Sequence, residues 1–496
     1  MSDQPNPTKM WSGRFREPLN PAFESWQASF RVDVRLLAQE LAASKAHAKM
    51  IAAAGVLTTE ELDRMLAGLD QVPLAVLEEA SKLTNLDVLR EAYKVYRPNT
   101  GFAMSSAPSI VALNPHVEDI HHFVELQLTK EIGQLALKLH TGRSRNEQIA
   151  TDMRLFVRDS IDATLGGLNA WALALVSLAE SVGEAVMPSY THLQRAEPVL
   201  IAHWLLAYVS MIERDLSRLA DARARMNLCP LGSGAVAGAT LVLDREIAAR
   251  ELGFDGPTPN SMDATSDRDF MLEFTQCLAT LGIHISRFAE ELTLYSTAEF
   301  GFLDLPEAFS TGSSAMPQKK NPDFTELLRG KSARLVGATT TLAVLMKGLP
   351  LAYNKDLQEG QEPVFDAAQT ALGILEILPA FTSSLKFNFS RMRTAATTGY
   401  LNAMAAATYL SNKGVPFRKA HEIVGNAVRL GLESARELNN LTLEELRSLS
   451  DAFAEDFFAA ITLEATLDCH DVIGGTARTR VAEALAAAKL RLGDNS

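Results

Sequence analysis

NEQIATDMRLFVRDSIDATLGGLNAWALALVSLAESVGEAV, residues 146–186, runs without a proline and sets Met153, Phe156, Val157, Ser160 and Ile161 on one face at helical spacing. The stripe continues through Leu165 and Leu168. The pattern predicts one very long helix, or two nearly collinear ones with Gly166 and Gly167 as the kink. At about 1.5 Å per residue, forty helical residues span roughly 60 Å. Helices of that length cannot all bury their apolar stripes within one compact chain, so packing against copies of itself is the natural solution.

Working outward, three more long helices are expected. One starts near Pro198 and runs to about Met226, with Leu200, Trp204, Tyr208, Met211 and Leu219 inward. Another covers about Arg268 to Glu299, and the last runs from Pro322, in its first turn, to about Leu345. Alanine and leucine dominate, aromatic residues make up only 7%, and β-branched runs are scarce. The fold class is therefore all-α. Shorter helices are expected on either side, giving an N-terminal helical domain over 1–140, a central long-helix domain over 141–390 and a C-terminal helical domain over 391–496. No internal repeat or low-complexity segment is evident.

Composition bounds the rest. The 496 residues are 47% hydrophobic and 22% charged, enough for large cores in a soluble protein. A net charge of −13 argues against nucleic-acid and anionic-lipid partners. Cys229, Cys277 and Cys469 lie far apart with no paired spacing, which argues against disulfides and structural zinc and for a reducing cytoplasm. The polar start MSDQPNPTKMWSGRF lacks the apolar core of a signal peptide, and apolar runs such as AWALALVSLA stop at about ten residues, short of a membrane span.

Three polar stretches interrupt the helical pattern: KLHTGRSRNEQ (138–148), SYTHLQRAEP (189–198) and GSSAMPQKKNP (312–322). Each is expected at or just before the start of a long helix, where unpaired N–H groups and the helix dipole favour anions. With Arg143, Arg145, Lys319 and Lys320 they carry the equipment for holding carboxylates. Singly, each has a plain structural reading: Thr141, Ser144 and Asn146 as helix caps, the basic residues as solvated surface, His192 as a structural histidine. Their recurrence in one helical chain argues for a shared purpose. His116, His121, His122 and Glu125 cluster in sequence, with His121 and Glu125 on one helix face, but in no recognised ligand spacing, so no metal or cofactor is expected. The glycine-rich LGSGAVAGA (231–239) follows no strand in a βαβ unit, which argues against a nucleotide site.

GSSAMPQKKNP resembles the signature loop of the fumarase and aspartase superfamily, whose members cleave a C–N or C–O bond and release fumarate. Within it the chain is similar to the argininosuccinate lyase family from about residue 10 to 480. MWSGRF, HTGRSRN, YTHLQRA, PLGSGAVAG, NSMDATSDRDF, STGSSAMPQKKNPD, GLPLAYNKDLQE and GGTAR occur in that family's order. The resemblance implies three all-α domains and a homotetramer with each active site shared between subunits. It implies Ser313 as base, its hydroxyl made acidic by Lys319 and loop amides, and His192 as the acid, paired with Glu326; the two proton-transfer roles stay open to exchange. Lys319 and Asn321 would hold a substrate carboxylate, and Ser29, Ser144, Arg145, Asn146, Thr191, Gln194, Tyr353 and Gln358 match substrate-holding positions.

Several positions depart from the family pattern. Gln361 stands where a lysine is common, Ala315 replaces a larger apolar residue, Glu197 stands where glutamine is common, and LNPHVEDIHHF differs around its EDIH core. The fumarate-forming half of the site is thus expected intact and the amine half altered. The leading expectation is cleavage of argininosuccinate to arginine and fumarate. The alternatives are the same cleavage of another N-substituted aspartate, or a non-catalytic, crystallin-like structural protein.

Overall fold

The computed structural model describes residues 17–81 and 116–493. The MWSGRF segment lies outside them, as does the start of LNPHVEDIHHF. The four long helices are present as Arg145–Ser181, Ile201–Met226, Asp269–Tyr295 and Asp323–Met346, and a fifth covers Gln361–Ser383. Three two-stranded pairings are the sheet content of the described residues, so the all-α reading holds. Four boundaries move: the first helix ends at Ser181 with Val186 in a strand, and the third ends at Tyr295 rather than about Glu299. Pro322 precedes its helix rather than entering the first turn, and Pro198 lies in a strand opposite Pro188. Neither of those prolines has an N–H to give to the ladder, so each sits where no donor is required.

By contact the chain divides into two compact units, each built from separate stretches of sequence. One comprises Met1–Ser160, Arg223–Glu273 and Thr341–Phe365; the other Ile161–Ala222, Phe274–Thr340 and Asp366–Ser496. In the first, the Leu37–Ala53 helix packs Ala43, Ala46 and Met50 against Leu155, Cys229, Leu231, Ala248 and Phe254. In the second, Phe288 is the meeting point of the bundle: Trp171, Trp204 and Tyr208 approach it at 5.6, 6.4 and 4.9 Å between ring centroids. The buried Trp171 indole donates to Thr382 Oγ1 at 3.1 Å, so its single polar atom is satisfied. A separate apolar cluster of the same unit, Ala406 to Ile461, organises the C-terminal helices.

Two of the helices, Arg145–Ser181 and Lys355–Ser383, are long and apolar enough to cross a membrane by length and composition, but about half of each apolar window is buried inside the protein. The first also buries Asp152 and Arg154, a pattern of core helices rather than lipid-facing ones.

Gly166 and Gly167 do not break their helix. At Gly167 a Cβ would stand 2.9 Å from Leu375 Cβ, so the missing side chain lets the two helices approach; at Gly166 nothing among the described residues lies within 4 Å. The two neighbours therefore respond in opposite directions. Gly167→Val is expected to destabilise by about 1–3 kcal/mol through overpacking. Gly166→Ala is expected to stabilise by about 0.5–1 kcal/mol. Thermal melts of the two variants check the sign of each.

Candidate active site

The start of the Arg145–Ser181 helix commits nearly every residue. Ser144 Oγ accepts the Asn146 N–H at 3.3 Å, and Glu147 Oε1 accepts the Ser144 N–H at 3.0 Å, pairing amides that a helix start leaves open. Arg143 is buried and donates to Ser44 Oγ at 2.9 Å. Arg145 donates to Asp119 Oδ2 at 2.8 Å, and Asn146 Nδ2 reaches the Ala235 carbonyl at 3.3 Å. Ser144 is a cap, as its plain reading had it, while Arg143 and Arg145 are not a solvated surface pair.

Arg145 and Ser29 meet at residues 118–119, and Gln358 joins them through Gln27. The Ser29 N–H donates to the Glu118 carbonyl at 2.8 Å, and Gln27 Nε2 to Glu118 Oε1 at 3.2 Å. Gln358 Nε2 in turn donates to the Gln27 carbonyl at 3.2 Å, and Lys355 Nζ to Gln27 Oε1 at 2.9 Å. The half-buried Tyr353 hydroxyl is raised by burial, against the pull of Arg268. Gln361 is buried, with 4% exposure, and its Oε1 has no hydrogen-bond partner among the described residues.

Behind this segment lies a buried ionic cluster that the sequence did not announce. His121 Nδ1 is 2.8 Å from Glu40 Oε2 and 3.7 Å from Asp152 Oδ2, and Gln148 Nε2 donates to Glu40 Oε1 at 3.2 Å. Burial opposes charge on Glu40, yet His121 and Arg143 hold it down at about 2. Asp152 is driven well above the usual carboxylate range by burial and by the Glu40 charge, so within this pair Asp152 keeps the proton. His121 is raised by Glu40 despite its burial. Asp33 accepts from Ser29 Oγ at 2.6 Å and from the Ile120 N–H at 3.0 Å; burial and the Asp119 charge push it up to about 7. The expected His121 and Glu125 face is not a pair: Glu125 instead meets His140 at 3.1 Å. Glu40, His121 and Asp152 are close enough together to be ligands of one ion. The Arg143 charge acting on both carboxyls makes the cluster self-compensating, so its donor set does not call for a cation.

The remaining candidates lie in the other unit. Thr191, His192 and Gln194 lie in a β-hairpin, Val186–Thr191 against Gln194–Leu200, which runs directly into the Ile201–Met226 helix as the expected position just before a helix start requires. His192 and Leu193 make its two-residue turn with φ of 56° and 57°, the left-handed pair of a primed type I turn. Leucine there costs about 1–2 kcal/mol. Leu193 is 71% exposed, so burial of its own side chain does not offset that cost. The hairpin holds the turn from below: Ser189 Oγ donates to the Glu197 carbonyl at 2.8 Å and accepts the Glu197 N–H at 3.1 Å across the bulge. Beside the turn is a cavity of about 450 Å³ lined by Tyr190, Leu193, Gln194, Arg195, Glu299, Phe300 and Phe302.

The signature loop is pinned at its base by pairing of Thr311 with Asn321 and Gly312 with Lys320. Asp323 clamps Thr311 through its N–H at 2.9 Å and its hydroxyl at 2.7 Å. Ser313 Oγ accepts the Ala315 and Met316 N–H groups at 3.3 and 3.1 Å, and the Ser313 N–H donates to the Lys319 carbonyl at 3.3 Å. Two amides aimed at a hydroxyl oxygen favour its deprotonated form. The neighbouring lysines differ. Lys320 is tied to Asp304 at 2.5 Å and to the Leu305 carbonyl, whereas the exposed Lys319 side chain makes no ion pair among the described residues. Glu326, exposed in the first helical turn, lies 3.9 Å from Arg329. Among the described residues no hydrogen bond or ion pair links His192, Glu326 and Ser313 to one another.

A fold of long helices carrying this signature loop is that of a lyase, and a family model described as lyase matches residues 13–337. A second, for the argininosuccinate lyase C-terminal region, matches 400–468. The chain is 59% identical to the argininosuccinate lyase of Acidobacterium capsulatum over 98% of this chain and 95% of that one. It is 54% identical to that of Koribacter versatilis over 98% and 97%. The chain belongs to the argininosuccinate lyase family. Among solved structures, an EDDS lyase in complex with formate superposes with a TM-score of 0.77 at 26% identity, covering 96% of this chain and 91% of that one. A class II fumarase from Schistosoma mansoni, with a TM-score of 0.69 at 14% identity over 89% and 91%, shares the fold.

Asp33 yields a pH prediction. Its folded pKa of about 7 lies above the ordinary 3.8, so the folded state binds the extra proton and the stability it contributes is lost as pH rises from about 4 through about 7. Relative to Asp33→Asn, the unmodified chain is expected to lose stability across that window, by about 1.4 kcal/mol per pH unit at most. Denaturant unfolding of both at pH 5 and pH 8 measures the difference.

Proposed function

We propose that the chain eliminates arginine from argininosuccinate, releasing fumarate, with Ser313 as base and His192 as acid. The observation that carries the reading is the Ser313 hydroxyl in the signature loop, its oxygen accepting two backbone amides. Ser313 removes the proton on the carbon next to the succinyl carboxylate that Lys319 and Asn321 hold. The electron pair forms the fumarate double bond as the C–N bond breaks, and His192, supported by Glu326, returns a proton to the departing nitrogen. Ser144, Arg145, Asn146, Thr191 and Gln194 hold the substrate, with Ser29, Tyr353 and Gln358 toward the amine half.

The proton-transfer residues act together in a homotetramer whose sites are completed by neighbouring copies. Supporting this, Ile283, Leu327, Val336 and Ile377 are large apolar residues left exposed on the long helices. The proposed domain boundary near 390 falls in the gap between the two matched family regions, 13–337 and 400–468. The setting is the cytoplasm, and the pathway is arginine biosynthesis.

A second reading, the same cleavage of another N-substituted aspartate, is favoured by Gln361, a buried neutral residue in the amine half where the family commonly has lysine. The test is the rise in ultraviolet absorbance as fumarate forms from argininosuccinate, with EDTA present. Fumarate release that EDTA does not slow is expected; no release, with release from another N-substituted aspartate, would favour the second reading. In the same assay Ser313→Ala is expected to lose on the order of 10³-fold or more in kcat while remaining a tetramer by light scattering. Substantial residual activity would remove Ser313 from the base role.

A further inference from the structure

The glycine-rich stretch 231–239 has no part in the chemistry above, yet two polar links join it to the start of the Arg145–Ser181 helix. Glu147 is fully buried. Its Oε1 accepts the Ser144 N–H at 3.0 Å and its Oε2 the Gly234 N–H at 2.9 Å. Asn146 Nδ2 adds a bond to the Ala235 carbonyl at 3.3 Å.

The turn has no slack of its own. Gly232 and Gly234 have φ of 86° and 60°; a Cβ on Gly232 would stand 2.6 Å from Arg245 Cγ, and one on Gly234 2.7 Å from the Gly238 carbonyl oxygen. Arg245 fixes the other side, donating to the Leu231 carbonyl at 2.8 Å, to Ser233 Oγ at 3.1 Å and to the Thr258 carbonyl at 2.8 Å. A run of backbone N–H groups in such a turn forms a concave site for an anion. Here the anion is the protein's own carboxylate. Burial pushes Glu147 up, while the Ser144, Gly234 and Gly232 amides and the Arg143 charge favour its ionised form.

We infer that Glu147 is a positioning residue: its carboxylate, seated in the 232–234 turn, sets the place of Ser144, Arg145 and Asn146 for the substrate. The inference rests on the reading of those three residues as substrate-holding. Gln at 147 supplies one acceptor and turns an NH2 group toward an N–H, whereas Asp keeps the charge but is one methylene shorter.

The experiment compares the full-length chain with Glu147→Gln and Glu147→Asp by steady-state kinetics on argininosuccinate, melting temperature, and hydrogen exchange of peptides spanning 143–147 and 231–238. For Gln, KM is expected to rise on the order of 10–100-fold with kcat within about three-fold, and exchange at 231–238 to quicken; Asp is expected to fall between Gln and the unmodified chain. A fall in kcat matching lost folded protein with KM unchanged, or no change at all, overturns the inference. If the unmodified chain releases no fumarate, the proposed function fails by itself. Exchange then decides: unaltered protection at 231–238 in both variants overturns the link, and faster exchange there supports it.

Discussion

A helix that starts inside a protein must find partners for its first backbone N–H groups, and the Arg145–Ser181 helix finds them in a way that builds the site. Ser144 and Glu147 take the amides at that start, and Glu147 uses its second oxygen on the Gly234 turn. The side chains around them point to different elements: Arg143 to Ser44, Arg145 to Asp119 and Gln148 to Glu40. The segment proposed to hold substrate carboxylates is thereby held from three directions. The buried charges behind it are tolerated because Glu40, His121 and Arg143 compensate one another while Asp152 keeps its proton.

The second unit treats its candidate residues differently. Ser313, His192 and Glu326 are exposed or half-exposed, and no bond among the described residues connects them to one another. What each has is a rigid base: a two-residue pairing and the Asp323 clamp under the signature loop, a bulged hairpin under the His192 turn. Left-handed backbone at Leu193, a residue that gains nothing from it sterically, is strain held in the turn beside His192. Loop and turn are thus presented outward on firm supports, as the proposed shared site requires.

The long helices were legible because apolar residues recur at helical spacing over many turns, and Met153, Val157, Ile161 and Leu168 are buried as that spacing requires. The signature loop was legible because its residue order is long and specific. The hairpin was not: Tyr-Thr-His-Leu-Gln has no glycine or asparagine to mark a primed turn, and Pro198 read as a helix start. Nor were the buried carboxylates. Asp33, Glu40 and Asp152 look like solvent-facing polar residues in sequence; their one signal was position, Asp152 standing beside Met153 with Ile149, Leu155 and Phe156 as its neighbours at helical spacing. His121 was singled out but matched with Glu125, because one helix face was visible in sequence and the opposing Leu37–Ala53 helix was not.

Mixing inactive variants shows whether residues unconnected within one chain act together in an assembly. Ser313→Ala and His192→Asn chains would be denatured together, refolded and assayed for fumarate release beside each variant refolded alone. Activity well above both controls is the result predicted, since some hybrid sites regain an intact serine from one copy and an intact histidine from another. A mixture no more active than its parents, while still forming tetramers, would contradict the account and return the site to a single chain.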